Sequence, residues 1–330
     1  MPHSAIRFGL NPYGLTYHLG LQAAGTPRAN PAPAGLEGFL ALATELDARV
    51  VELWDGWLKP MDAAQFDTLA SRLRSLDMTP VVSSGLQAAD IALCIRAAQA
   101  LGASYIRVAL TPILCGDRAA AGPRWDELVA SVNDKLARYA PMVRDAGLTL
   151  LIENHQDFTS RELAAFCETY GPSVRIVYDT ANSFPVAEAP LDFTAVVAPY
   201  VRYVHAKDYR VQFTAEGIRL VRCPTGDGAV PLKELFAMLL THNTELLAAI
   251  EIGALEARHV RLFTPDWWRG YPEKRADELA ACLLAAQRNR LPDDAGWQTP
   301  WERGADGEIA AWEVAQVRRS AENLRALGLM

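Results

Sequence analysis

Leu148-Thr149-Leu150-Leu151-Ile152-Glu153-Asn154-His155 is an apolar run that ends in a carboxylate, an amide and an imidazole. Its apolar residues do not alternate with polar ones, so a strand here is buried on both faces, as in parallel sheets covered by helices. The same junction recurs along the chain. Residues 174–178 run into Asp179, 201–204 into His205, and 246–250 into Glu251. Four strand ends that present Glu, Asp, His and Glu read as one site, and the rest of the chain reads as the scaffold that gathers them.

Working outward from that stretch, short apolar runs predict eight buried strands, at 6–10, 49–54, 79–83, 105–110, 148–153, 174–179, 201–205 and 246–252. Between them, apolar residues at 3.6-residue spacing predict helices over 36–46, 63–76, 88–101, 125–146, 160–170, 191–198 and 231–240. Thr159-Ser160 with Glu162 heads one helix, and Gly102 and Gly147 follow the ends of two others. Strand and helix alternating in this way predict an α/β fold, a (β/α)8 TIM barrel over residues 1–291. An open doubly wound sheet would carry a glycine-rich phosphate loop after its first strand, and Asn11-Pro12-Tyr13-Gly14-Leu15 is not one. After a helix over 274–290, residues 292–330 form a C-terminal helical extension. Its own apolar residues, Trp312, Val317, Leu324 and Leu327, are expected to pack on the barrel or on a partner subunit.

Composition narrows the function. With 50% hydrophobic and 22% charged residues the chain can bury a large core, and a net charge of -7 argues against nucleic acid as a partner. Five scattered cysteines without C-x-x-C pairing suggest neither a disulfide framework nor a zinc knuckle, which fits a reducing cytoplasm. Residues 1–7 lack the basic start and apolar run of a signal peptide, and no 18-residue apolar span exists, so no membrane is expected as a partner. The expected partner is a small molecule. An oligomer, with a smaller partner subunit as one form of it, is a further expectation.

In a barrel every strand ends at the same rim, so Glu153, Asp179, His205 and Glu251 converge there. Three carboxylates and one imidazole suit a single divalent ion: Mn²⁺ first, with Mg²⁺, Co²⁺ or Zn²⁺ as the other candidates. Charge requires the same answer, because three carboxylates in one small volume repel each other unless a cation neutralises them.

The runs Ile152-Glu153-Asn154-His155, Tyr178-Asp179-Thr180-Ala181-Asn182, Val204-His205-Ala206-Lys207-Asp208 and Ile250-Glu251-Ile252-Gly253 resemble those of the sugar phosphate isomerase/epimerase superfamily, the xylose-isomerase-like TIM barrels. The resemblance covers residues 6–290. Likeness to the ketose 3-epimerases of that superfamily implies that Glu153, Asp179, His205 and Glu251 bind one divalent ion. It also implies that Glu153 and Glu251 flank the substrate and move a proton on and off the carbon beside a carbonyl, with a metal-stabilised enediolate between. Two places depart from that pattern: Asn154 stands where the 3-epimerases carry proline, and Asn182 where they carry histidine.

His155, two residues beyond Glu153, faces the same way as that glutamate in a strand. It reads either as a general base or as a group that orients Glu153 or caps the next helix. The first reading resembles the large subunits of C-glycoside deglycosidases in the same superfamily. It would make the enzyme a lyase that acts by β-elimination on a 3-oxo-glycoside, or a polyol dehydratase. Glu52, Asn154, Asn182, Lys207 and Trp54 complete the expected substrate-binding rim. Glu52 could instead make a salt bridge within the barrel, Lys207 an ion pair with Asp208 or Glu251, and Trp54, Trp57, Trp267 and Trp268 plain packing. His18 reads as a solvent-exposed residue of the long first loop, and 223–228 as a turn. An endonuclease-IV-like repair enzyme would need more than six histidines and a basic face.

Overall fold

The computed structural model describes residues 6–330. The leader reading of residues 1–5 therefore lies outside the described residues. The elements run β1 (Ile6–Leu10), α1 (Gly35–Glu45), β2 (Val50–Trp54), α2 (Asp55–Leu58), α3 (Ala63–Ser75), β3 (Thr79–Gly85), α4 (Ile91–Leu101), β4 (Tyr105–Ala109), α5 (Arg118–Ala121), α6 (Arg124–Asp145) and β5 (Thr149–Glu153). They continue with α7 (Ser160–Tyr170), β6 (Val174–Asp179), α8 (Pro190–Val197), β7 (Val201–Ala206), β8 (Tyr209–Thr214), β9 (Gly217–Arg222), α9 (Leu232–Leu240), β10 (Leu246–Ile250), β11 (Arg258–Val260), α10 (Ala276–Ala286) and α11 (Asp306–Ala326).

Eight parallel strands close a barrel in the order β1-β10-β7-β6-β5-β4-β3-β2, as the buried apolar runs predict. The helix starts follow side-chain chemistry. Thr159 at the head of α7 and Asp62 at the head of α3 each accept the third backbone N–H, while Glu162 and Gln65 reach back to the cap. The helix expected from residue 88 starts at Ile91, because the Asp90 carboxylate accepts from Leu93 N and fixes the cap there.

Inside the barrel, Val50, Val81, Leu151, Val177, Tyr203 and Ala249 form an apolar layer with Tyr105 and Leu247 packed against it. Because side chains on one face of a strand repeat every two residues, the next inward layer is already set. It consists of Asn11, Glu52, Ser83, Arg107, Glu153, Asp179, His205 and Glu251. An apolar floor thus carries a polar ceiling one pleat higher. At the seam, β1 meets β2 through Leu10 and Val51, where a Cβ on Gly9 would lie 1.8 Å from Val50 O.

Three strands outside the barrel form an antiparallel sheet in the order β11-β9-β8. It is built from the segments that follow β7 and β10, and it stands over their ends of the rim. At the C-terminus, α10 packs towards the α7–α8 side, where Arg161 pairs with Glu278 and Lys274 donates to Val186 O and Ala187 O. Helix α11 packs against β10 and the end of α1, with Arg318 paired to Glu45 and Arg325 donating to Leu46 O. Its Val317, Ala321 and Leu324 join the main core. Among the described residues no helix is long and apolar enough to cross a membrane.

Candidate metal centre

Glu153 ends β5, Asp179 ends β6, His205 lies in β7, and Glu251 directly follows β10. Each offers a ligand atom, and these atoms all lie within 4.8 Å of one another. Opposite ligands of an octahedral ion with bonds of about 2.1 Å stand ~4.2 Å apart, so the cluster has the size of one divalent coordination sphere. The imidazole is aimed in the same way. Its Nδ1 lies 2.9 Å from Glu251 Oε2 and 3.1 Å from Glu153 Oε1, while Nε2 lies 2.7 Å from Glu52 Oε2. One ring nitrogen faces the cluster and a carboxylate fixes the other, the usual support for a metal-ligating histidine. Three carboxylates and one such nitrogen fit a divalent ion.

The charge of the cluster is answered from several sides. Lys207 Nζ pairs with both Asp179 and Glu251, Arg107 pairs with Glu153, and the Asn11 amide donates to Glu251. Burial would disfavour a charged imidazole at His205, but the neighbouring Glu52 and Glu251 carboxylates raise its pKa well above the ordinary value. Burial pushes the Asp179 carboxyl up to about 7 against the pull of Lys207, with Glu251 and Glu153 adding repulsion. Burial also opposes ionisation of Glu251, yet Lys207 and His205 hold its pKa well below the carboxylate range. The site is a crowd of anions held together by whatever cations reach it.

The expected rim residues fall into distinct places. Glu52 is fully buried beside His205. Asn154 turns sideways into β6, donating to Asp179 O at 2.8 Å and accepting from Asp179 N at 2.6 Å. Asn182 donates to Asp179 Oδ2 at 2.6 Å. Lys207 lies within the cluster. Trp54 sits at the rim edge-on to Trp57, with ring centroids 6.1 Å apart. Trp267 is buried against Tyr271, and its indole N–H donates to Cys115 O. His18 is half-buried, and its backbone N–H donates to Glu313 Oε2.

His155 is partly buried, and its Nδ1 is enclosed without a hydrogen-bond partner among the described residues. Burial lowers its pKa to about 4, with Glu153 pulling the other way and Arg107 and Lys207 adding to the drop. The next residue, Gln156, has φ +121°, a strained value for a side-chain-bearing residue. Cys115 N donates to Gln156 Oε1 and Gly116 N to Gln156 O, which pins the strained unit in place.

Sequence reading did not pick out Asn11, Ser83 and Arg107 as part of this layer. The signal was present: Ser83 and Arg107 stand two positions beyond an inward apolar residue, just as Glu153 stands beyond Leu151. Tyr13 closes that side, with its hydroxyl 3.1 Å from Ser83 Oγ and the Arg107 guanidinium 4.8 Å over its ring.

Residues 40–283 match the family model of the xylose isomerase-like TIM barrel. The uncharacterized protein YihM of Escherichia coli (strain K12) is 26% identical over 213 residues, and the match spans 61% of this chain and 61% of that relative's length. Among solved structures, a xylose isomerase-like TIM barrel protein from Mycobacterium smegmatis in complex with magnesium superposes with a TM-score of 0.55 at 16% identity, covering 94% of this chain and 99% of that one. A D-tagatose 3-epimerase-like protein gives 0.54 at 14% identity, covering 85% and 98%. The probable 3-DHS dehydratase AsbF from Bacillus anthracis gives 0.54 at 12% identity, covering 74% and 92%. At these identities the likeness to solved structures is one of fold.

Proposed function

This chain belongs to the xylose isomerase-like TIM barrel family, and we propose that it is a divalent-metal-dependent isomerase or epimerase that moves a proton alpha to the carbonyl of a sugar or sugar-derived substrate. The observation that carries this reading is the convergence of Glu153, Asp179, His205 and Glu251 within 4.8 Å at the strand ends. A divalent ion held by these four, Mn²⁺ by preference, with Mg²⁺, Co²⁺ or Zn²⁺ as the other candidates, would supply a Lewis acid for the carbonyl.

The chain's own residues then divide the remaining work. Glu153 and Glu251 enter from β5 and β10, three places apart in the barrel order, and serve as the carboxylates that take and return the proton. Glu52 fixes the tautomer and angle of His205, whose Nε2 it holds at 2.7 Å. Asn154 and Asn182 hold Asp179 from its backbone and its carboxylate. Lys207 and Arg107 limit the repulsion among the carboxylates and offer donors to substrate oxygens. Trp54 forms an apolar wall at the mouth. We place the protein in the cytoplasm, in keeping with five unpaired cysteines.

A second reading is favoured by one observation, the enclosed and unpartnered Nδ1 of His155 beside Glu153. A neutral imidazole there is a base in its own right, and the enolate it forms would expel a β-leaving group from a 3-oxo-glycoside or a cyclic polyol. Incubation of candidate ketoses and 3-oxo-glycosides in D₂O, followed by NMR, separates the two. Deuterium in an intact sugar supports isomerisation or epimerisation, and release of aglycone or water supports the lyase. His155→Ala should leave metal binding intact in both cases. It abolishes turnover only if the imidazole takes the proton, and full activity in that variant leaves the two-glutamate mechanism standing.

A further inference from the structure

The rim of the barrel is held by a helix that arrives from the far end of the chain. Glu313, in α11, is fully buried, and its carboxylate accepts the backbone N–H of Tyr17 at 3.3 Å and of His18 at 2.7 Å, both in the loop after β1. Arg222, at the end of β9, lies 3.7 Å from the same carboxylate, and its side chain is fully buried. The guanidinium donates to Gly14 O at 2.6 Å, to Gly253 O at 2.9 Å and to Gln316 Oε1 at 2.5 Å. One side chain therefore ties together the end of β9, the loop that carries Asn11, the turn two residues beyond Glu251, and α11.

The two rim segments are also locked to each other. A Cβ on Gly14 would stand 2.8 Å from Ile252 N, so the loop after β1 lies directly against the residue next to Glu251. Further along α11, Ser320 Oγ accepts from Thr225 N at 2.8 Å, and the Asn323 amide donates to Thr225 O at 3.0 Å and to Asp227 Oδ1 at 2.9 Å. Thr225 in turn donates its hydroxyl to Ala206 O at 2.8 Å, the residue after His205. Helix α11 thus reaches Ala206, next to His205, through Thr225, and through Arg222 it reaches Gly253 and Gly14, in the turn after Glu251 and the loop that carries Asn11.

Apolar residues of similar volume often stabilise a fold as well as a buried ion pair does. What they cannot supply is a pair of donors to Gly14 O and Gly253 O. We propose that Arg222 and Glu313 are positioning residues of the metal centre, through which α11 fixes the loop after β1 and the turn after β10 so that Asn11 and Glu251 keep the geometry a divalent ion requires. This rests on the metal reading of the cluster given above.

The test is a Co²⁺ titration of the chelated full-length chain, read by visible absorption, on wild type, Glu313→Gln, Arg222→Lys and the double variant Arg222→Met/Glu313→Met, each checked for folding by near-ultraviolet circular dichroism. Positioning predicts at least tenfold weaker Co²⁺ binding and an altered absorption band in Glu313→Gln and in the double variant, with Arg222→Lys intermediate, whatever the melting temperatures. Asn323→Ala removes only a rim contact and serves if the buried variants fail to fold; a several-fold loss is expected there. Affinity within twofold of wild type in the folded variants, with melting temperature alone reduced, assigns the pair a merely structural role and overturns the proposal. A wild-type chain without Co²⁺ affinity overturns the metal reading itself, and the proposal falls with it.

Discussion

Glu52 holds the outer nitrogen of His205 at 2.7 Å, and both side chains are fully buried. Replacing it by Gln keeps the size but removes the charge that raises the basicity of the ring. Divalent-ion affinity should therefore fall by about 10–100-fold in Glu52→Gln, measured by isothermal titration with Mn²⁺. An unchanged affinity would mean that His205 needs no such support. Asp157 makes a separate prediction. Its carboxylate accepts from Thr111 Oγ1 at 2.8 Å and from Phe158 N at 3.0 Å, and burial raises its pKa from 3.8 to about 7 against those bonds and the charge of Arg118. The folded state thus holds a proton that the unfolded chain releases from about pH 4 upward. This group's contribution is fully present below pH 4 and is lost as pH rises towards 7, on the order of 4 kcal/mol at most. Urea unfolding between pH 4.5 and 7.5 should show a steeper fall in wild type than in Asp157→Asn, and parallel profiles would contradict it.

At the scale of the strand, inward positions alternate, and each lies two residues from the next. The seam between β1 and β2 depends on the absence of a side chain at Gly9, where a Cβ would lie 1.8 Å from Val50 O and 2.5 Å from Val50 N. Gly9→Ala should destabilise the chain by about 3 kcal/mol or more in urea unfolding, because backbone on both sides leaves nothing free to yield. The same alternation governs what is legible in the sequence. Glu153, Asp179, His205 and Glu251 are legible because each ends an apolar run. Arg107 is harder to see because it interrupts such a run, although a charge in a buried strand must find a partner, and it finds Glu153. Asn11 directly precedes a loop signal, Pro12, which masks its place at the top of β1. The hairpin β8–β9 shows the opposite difficulty. Tyr209-Arg210-Val211-Gln212-Phe213-Thr214 alternates with period two, the pattern of a half-exposed antiparallel strand, and it stands apart from the continuous apolar runs of the barrel. Nor could local pattern reveal that Asn154 turns towards Asp179, since that contact spans two strands.

Across the whole molecule, segments from early and late in the sequence meet at the rim. The loop after β1 brings Asn11 and Tyr13, the sheet β11-β9-β8 stands over the ends of β7 and β10, and α11 ties these parts together through Arg222 and Glu313. A bound ion joins segments that are distant in sequence, so it should stabilise the entire fold rather than one loop. At an ion concentration a hundred times its Kd the gain is about 2.7 kcal/mol, visible as a melting temperature that falls on addition of chelator and returns with Mn²⁺. The central claim is that the four strand-end residues form one coordination sphere. The most direct test is the metal content of the purified chain after chelation, reloading with Mn²⁺ and removal of free ion, for wild type and for Glu251→Gln. One tightly held ion per chain in wild type, lost in Glu251→Gln, is the predicted result. No retained ion in wild type, or the same content in both proteins, would contradict it.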